Sequence, residues 1–231
     1  MRGRDRPPVL RVLEPPAGKG EIGLATSRDW KHWSYERTVL REDFHLSYPY
    51  VFAWEGEHYL VPESYSATDV RLYQAVDFPQ CWELRATLLE GGVFNDSSLV
   101  HHDGRWWMFT ETDPGMRSDT LRLFTASDLL GPWAEHPLSP VITGDSRRAR
   151  PAGRVVSHGA GLVRYAQDCE AEYGKRVRAF EVGTLTTTAY AERPAGVVLG
   201  PNGESWSRHG MHHVDPVELP DGHWLACVDG R

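Results

Sequence analysis

Glycine turns recur along this chain at long intervals, and each is followed by a short apolar or aromatic segment. The turn glycines Gly56, Gly104, Gly159 and Gly222 are 48, 55 and 63 residues apart. Each copy predicts a β-hairpin, and a single hairpin cannot bury its apolar face without a neighbour. The repeats must therefore pack on one another.

A second repeat places a tryptophan nine residues after a fixed apolar position, in the pairs Leu24 and Trp33, Tyr73 and Trp82, and Phe124 and Trp133. Internal repeats of this period are typical of β-propellers, whose blades are four-stranded antiparallel sheets placed around a channel. The sequence therefore predicts an all-β fold, a β-propeller of four-stranded antiparallel blades.

The strands of each blade are labelled A to D from the channel outward. The first complete blade is predicted at 48–53, 57–63, 70–76 and 82–88, the second at 96–101, 105–111, 120–126 and 133–142, and the third at 152–157, 161–167, 176–182 and 188–193. The flanks are incomplete, with a B-like strand at 9–13 before strands at 21–26 and 33–40, and strands at 213–219 and 222–228 at the end. Either 21–26 pairs with 222–228 to close a four-bladed ring, or a five-bladed ring lacks part of its first blade.

Length and composition favour one domain over residues 1–231, with an irregular N-terminal segment at 1–17. The net charge of −7 argues against a nucleic-acid partner. The nearest basic run, Arg147-Arg148-Ala149-Arg150, is interpreted as a solvated loop. The sequence has no apolar run long enough to span a membrane and no signal-peptide pattern, so we expect a cytoplasmic protein.

Propeller topology gathers residues from the start of each A strand and the end of each B strand at one mouth of the channel. That mouth, the predicted funnel, is unusually rich in carboxylates and imidazoles, which indicates a ligand site rather than turn caps alone. Strand starts supply His45, Ser47, Tyr48, Asn95, Asp96, Arg150, His212, His213 and Asp215, and strand ends supply Glu63, Glu111, Asp113, Gln167, Asp168 and Asp229.

Asp96 and Glu63 form the sharpest candidate pair for acid–base work. Glycosyl hydrolysis or transfer generally needs one carboxylic acid to protonate the leaving oxygen and one carboxylate to act as base or nucleophile. Asp168, Asp215 and His213 complete the candidate catalytic set. The candidate ligand-binding set is His45, Tyr48, Glu111, Arg150, Gln167 and His212.

The segment His209–Asp215 invites a metal interpretation, because imidazole and carboxylate groups are common metal ligands. Strand alternation places His213 and Asp215 on one side and His212 on the other. At most two of these groups then face one ion, so we expect a proton-transfer or sugar-contact histidine, with no metal and no cofactor.

Five strings stand in an order that resembles one family of propeller domains. They are His45–Phe52 (HLSYPYVF), Leu60–Glu63 (LVPE), Arg150–Gly153 (RPAG), Gln167–Cys169 (QDC) and Gly210–Asp215 (GMHHVD). The family is known from the N-terminal part of plant glucosamine inositolphosphorylceramide transferases and from stand-alone bacterial proteins. The resemblance covers roughly residues 18–230 and lacks the usual first A strand with its Asp-Pro start.

This resemblance implies a five-bladed propeller distantly similar to glycoside hydrolase family 43, and hence a link to sugars. In the plant proteins, transfer is expected from a separate glycosyltransferase domain. However, Tyr48-Pro49 and Arg150-Pro151 stand at blade starts beside Asn95-Asp96, so the hydrolase triad is not reproduced.

Three functions follow from the residues and the resemblance together. The leading one is an enzyme that cleaves or transfers a glycosyl unit. The alternatives are a non-catalytic module that binds a glycan or glycolipid headgroup beside a glycosyltransferase partner, and a small-molecule enzyme of specialised metabolism.

Overall fold

The computed structural model describes residues 9–13, 18–159, 161–219 and 221–231. The chain divides into two compact units, the first ending at Gly92 and the second beginning at Val93. Strands are the main regular secondary structure in both units. Within the described ranges there are two short 3-10 turns, Tyr65–Ala67 and Ser205–Ser207, and no α-helix.

The first unit contains two antiparallel sheets. Strands β1 (Val9–Leu13), β2 (Glu21–Ser27) and β3 (Trp33–Leu40) form a three-stranded sheet in that order. Strands β4 (Ser47–Trp54), β5 (Glu57–Glu63), β6 (Asp69–Asp77) and β7 (Cys81–Glu90) form a four-stranded sheet, also in chain order. The second sheet is the first complete blade predicted from the repeats.

The second unit contains two four-stranded sheets and one hairpin, all antiparallel. The first sheet comprises β8 (Asn95–His102), β9 (Arg105–Glu111), β10 (Leu121–Ala126) and β11 (Ala134–Glu135). The next comprises β12 (Val156–His158), β13 (Gly161–Asp168), β14 (Arg176–Leu185) and β15 (Tyr190–Leu199). The hairpin pairs β16 (His213–Glu218) with β17 (Trp224–Asp229).

The glycine turns connect strands as the repeat predicted. At Glu55-Gly56 and Asp103-Gly104 both central residues have positive φ, at 51° and 87° and at 49° and 70°. Two successive left-handed residues give a turn whose twist matches that of the flanking strands, and glycine adopts this conformation without steric cost. These turns fix the β4–β5 and β8–β9 registers.

Apolar residues on the sheet faces build a separate core in each unit. Ile22, Leu60, Tyr73 and Trp82 pack together in the first. Trp107, Phe109, Leu121, Leu162 and Val182 join the two four-stranded sheets of the second. Burying each of these side chains stabilises the fold by about 1.5 to 3 kcal/mol.

Several predicted strands have different bounds in the structure, and three of them differ by four residues or more at one end. The predicted strand at 133–142 shortens to β11, because Pro137 and Pro140 lack the N–H that a ladder needs. The strand predicted at 152–157 starts later, at Val156, and the one predicted at 188–193 extends to Leu199 through β-bulges.

Strand β2 has no open edge for the predicted four-bladed closure. It pairs with β1 from Val9–Ala25 to Leu13–Glu21 on one side and with β3 on the other. The predicted B-like strand is present and occupies the edge that pairing with 222–228 would require, so 21–26 does not form the pairing of the four-bladed alternative. The number of blades stays a prediction.

Candidate functional site

Asp96 lies at the start of β8, where the backbone bulges. The register between β8 and β9 shifts between Asn95 and Ser98, and the φ of Asp96 is 52°. A bulge at a strand end redirects a side chain, and a non-glycine residue with positive φ is often found at a functional site. The local conformation thus supports the choice of Asp96 as a site residue.

The Asp96 carboxylate is buried and held by two donors that are distant in the sequence, one from the loop before β12 and one from β13. Arg150 Nε donates to Asp96 Oδ2 over 2.6 Å, and Gln167 Nε2 donates to the same oxygen over 2.8 Å. Only 3% of Asp96 is exposed. These three predicted site residues are brought together, although Arg150 and Gln167 are 54 and 71 positions from Asp96.

Glu111, the last residue of β9, is fully buried beneath the start of β8. It accepts hydrogen bonds from Asn95 Nδ2 at 2.6 Å and from the Asp113 backbone N–H at 2.7 Å. Burial raises the pKa of Glu111 above its ordinary value. Desolvation is the main cause of this shift, and the nearby Asp113 carboxylate adds to it.

Asp168 and Asp215, both predicted as catalytic, are bound by arginines. Arg178 Nε lies 2.8 Å from Asp168 Oδ2, and Arg154 Nη2 lies 2.7 Å from Asp215 Oδ2. Such charge-assisted hydrogen bonds occupy lone pairs of the carboxylate oxygens. The geometry favours binding or structural roles over nucleophilic attack.

The two adjacent histidines have different surroundings. His212 Nδ1 lies 3.2 Å from Asp229 Oδ1, without the alignment of a hydrogen bond. Burial lowers the pKa of His212, although the carboxylates of Asp229 and Asp96 oppose the shift. His213 begins β16, half-buried and in register with Asp229. Among the residues the structure describes, no group of three or more His, Cys, Asp or Glu side chains is placed to hold a metal ion.

Tyr173 completes this site and was missed by the sequence analysis. It lies in the turn between β13 and β14 and is 43% exposed. The Arg150 guanidinium carbon is 5.1 Å from the centre of its ring, and the His212 ring is 5.3 Å from it. We call Asp96, Arg150, Gln167, Tyr173 and His212 the Tyr173 site.

Close backbone packing positions this turn. Gly174 has a φ of 60°, and a Cβ added there would lie 2.5 Å from the Cβ of His212. Only glycine permits this approach without displacing His212. The Tyr173-Gly174 dipeptide in the loop between the strands predicted at 161–167 and 176–182 was the available signal.

The remaining candidates, His45, Tyr48 and Glu63, belong to the first unit. His45 Nδ1 accepts a hydrogen bond from the Gly20 N–H at 2.9 Å, which indicates a structural role. Tyr48 is buried with a φ of 43°, at a bulge that matches that of Asp96. Glu63 is buried and pairs with Ser47 as Glu111 pairs with Asn95. A shared funnel for Glu63 and Asp96 stays a prediction.

Several solved structures with a similar fold are glycoside hydrolases. An α-L-arabinanase of Cellvibrio cellulosa is 17% identical with a TM-score of 0.64, covering 98% of this chain and 87% of its own. A family 117 glycoside hydrolase of Zobellia galactanivorans is 18% identical with a TM-score of 0.60, covering 90% and 69%. The fold is thus an all-β propeller of four-stranded antiparallel sheets, similar to that of family 43 glycoside hydrolases.

The family profile for the N-terminal region of glucosamine inositolphosphorylceramide transferase 1 matches residues 14–231, and the chain belongs to this family. The transferase of rice (Oryza sativa subsp. japonica) is 37% identical over 220 residues, and that of Arabidopsis thaliana is 34% identical over 229 residues. The matches cover 92% and 96% of this chain but only 29% and 30% of the relatives. In the described part of the chain, no helix has the length and apolarity needed to cross a membrane.

Proposed function

We propose that this chain is a carbohydrate-recognition module that binds a glycan or a glycolipid headgroup at the Tyr173 site. One observation carries the proposal: an exposed aromatic ring lies against a buried arginine and a histidine. An aromatic face packs on the C–H face of a sugar, while the polar groups beside it exchange hydrogen bonds with hydroxyls.

The state of the carboxylates favours binding over catalysis. A glycosidase needs two carboxyl groups free to meet the substrate, about 5 to 5.5 Å apart for retention and about 6.5 to 9.5 Å for inversion. Asp96, Asp168 and Asp215 are each engaged by an arginine. Glu111 has the raised pKa suited to an acid but has no exposed surface. This supports the non-catalytic alternative over both enzymatic ones.

Family membership adds a proposed context. The related plant proteins are named glucosamine inositolphosphorylceramide transferases, and the chain spans about 30% of their length. We infer that the module presents a sugar-bearing substrate to a glycosyltransferase partner. A cytoplasmic location, expected from the N-terminal sequence, stays a prediction.

The test is binding of defined sugars by variants at Tyr173. An array of mono- and oligosaccharides would identify a ligand, and calorimetry would measure its dissociation constant. Tyr173→Ala removes the ring, so we expect roughly tenfold or greater weakening, whereas Tyr173→Phe keeps the ring and should stay within about threefold.

The matched control is Tyr35→Ala, which removes a tyrosine that is 53% exposed on β3. It should bind the sugar like the unmodified protein. The proposal fails if an identified sugar binds Tyr173→Ala with unchanged affinity, or if no sugar binds at millimolar concentration.

A further inference from the structure

A second cleft lies in the second unit, with a volume of about 280 Å³. Its polar lining consists of Asp145, Arg147, Arg148 and Arg178, with Phe180 among its apolar walls. We call it the arginine cleft. Two of its arginines come from the basic run that the sequence predicted to be a solvated loop.

The backbone around the cleft is held by several hydrogen bonds. The N–H groups of Arg148 and Ala149 donate to the Asp145 carbonyl at 3.3 and 3.2 Å. The Cys169 N–H donates to the Ser146 carbonyl at 2.9 Å, which joins this turn to the end of β13. Arg178 extends from β14. The three guanidinium groups are therefore carried by a fixed frame.

Three arginines and one aspartate are the charged residues that line this cleft. Asp145 is the one acidic residue among the described residues that line it, and it contacts both Arg147 Nε, at 3.0 Å, and Arg148 Nε, at 2.9 Å. Outside the lining, Asp168 pairs with Arg178 at 2.7 Å, and the exposed Glu170 lies 3.9 Å from Arg147 Nε. Each guanidinium has five N–H donors, so one shared carboxylate leaves donors available.

One of these donors is buried and unsatisfied. Arg148 Nε is inaccessible to solvent and has no aligned hydrogen-bond partner in the described structure, despite its proximity to Asp145. A buried donor without an acceptor is destabilising. An oxyanion in the cleft would supply acceptors to the arginine groups that face it.

We propose that the arginine cleft binds a phosphate or sulfate group, carried by a soluble sugar or by a lipid headgroup. Planar guanidinium groups match the oxygens of such an anion with paired hydrogen bonds. The volume of the cleft suits a small anionic group rather than a whole oligosaccharide. This site uses none of the residues of the Tyr173 site and does not depend on the function proposed there.

The test is titration of the protein with inorganic phosphate and with inorganic sulfate, followed by calorimetry or by amide chemical shifts. Arg148→Gln should weaken binding by roughly tenfold or more, because it removes charge-assisted hydrogen bonds. Arg148→Lys keeps the charge but loses the planar fork, so we expect an intermediate loss. Arg208→Gln, at an exposed position of the same unit, is the charge-matched control and should bind normally.

Two further experiments identify the kind of molecule that carries the phosphate group. Glucose 6-phosphate tests a soluble ligand, and phosphatidylcholine vesicles with and without phosphatidic acid test a lipid headgroup. Binding that depends on Arg148 in either experiment supports the proposal and shows whether the phosphate belongs to a soluble sugar or to a lipid headgroup. Tyr173→Ala should leave phosphate binding unchanged, which separates this site from the other. Absence of saturable anion binding, or equal loss in Arg148→Gln and Arg208→Gln, would overturn the proposal.

Discussion

At the scale of single residues, several carboxylates of the second unit are paired with arginines. Asp96, Asp168 and Asp215 stand in such pairs, and the fully buried Arg164 donates to Glu192 at 2.8 and 2.9 Å. A buried charge is costly unless it is paired and hydrogen-bonded. The pairs thus constrain which residues can be replaced.

Asp96→Asn is the most informative of these replacements. The carboxylate of Asp96 is buried and neutralises the buried Arg150. Removing one partner leaves the other uncompensated, so we expect a loss of about 3 to 5 kcal/mol in the free energy of unfolding. Urea denaturation would measure it.

The control is Asp103→Asn, the same change at an exposed residue that also has positive φ. Asparagine adopts this conformation readily, so the free energy of unfolding should change by less than about 0.5 kcal/mol. A loss below about 1 kcal/mol in Asp96→Asn would show that the Arg150 pair is not a major stabilising contact.

At the scale of elements, strands β8 and β16 of the second unit both donate hydrogen bonds to the Ala152-Gly153 segment. Ser98 Oγ of β8 donates to the Gly153 carbonyl at 2.8 Å, and the Val214 N–H of β16 donates to the Ala152 carbonyl at 2.8 Å. Gly153 has a φ of 130°, and a Cβ there would lie 1.7 Å from the Val214 carbonyl oxygen. No side chain fits without moving β16.

Gly153→Ala is therefore expected to be severely destabilising, by several kcal/mol, because it adds backbone strain to a steric clash. Gly104→Ala, where φ is 70° and nothing lies within 4 Å of the added Cβ, isolates the strain and should cost about 1 kcal/mol. Thermal unfolding would compare them. Equal melting temperatures would contradict the close approach at Gly153.

At the scale of the whole molecule, ion pairs make stability dependent on pH. Hydrogen bonds from Arg117 lower the pKa of Asp113 to about 2, and the pKa values of Asp145 and Glu192 are also lowered, in each case against the opposing effect of burial. A carboxylate with a lowered pKa stabilises the fold above its unfolded-state pKa, and that contribution is lost as pH falls through the folded-state value.

We therefore expect the melting temperature to fall between about pH 4 and pH 2. Asp113→Asn should lower the free energy of unfolding by about 1 kcal/mol near pH 7, because Arg117 is largely exposed and its pairing is screened. Near pH 2 the difference between the variant and the unmodified protein should shrink. A difference independent of pH would contradict the charge-based explanation.

The sequence by itself determined the strands, the hairpin turns and the all-β class. Alternation and glycine turns act between residues close in the chain, so a repeat predicts β4–β5 and β8–β9 without knowledge of the rest. Likewise, the repeat made Tyr48 and Asp96 equivalent, and both lie at the same kind of bulge. Blade topology also predicted that Asp96, Arg150 and Gln167 would meet.

Only the tertiary structure decided what those side chains do. Whether a carboxylate is free, buried or bound to an arginine depends on distances between strands that are far apart in sequence, as for Asp96 and Arg150. The exposure of Tyr173 and the grouping of Arg147, Arg148 and Arg178 depend on how turns pack on neighbouring strands. Local periodicity does not predict such packing, because it specifies only the face of a strand on which a residue lies.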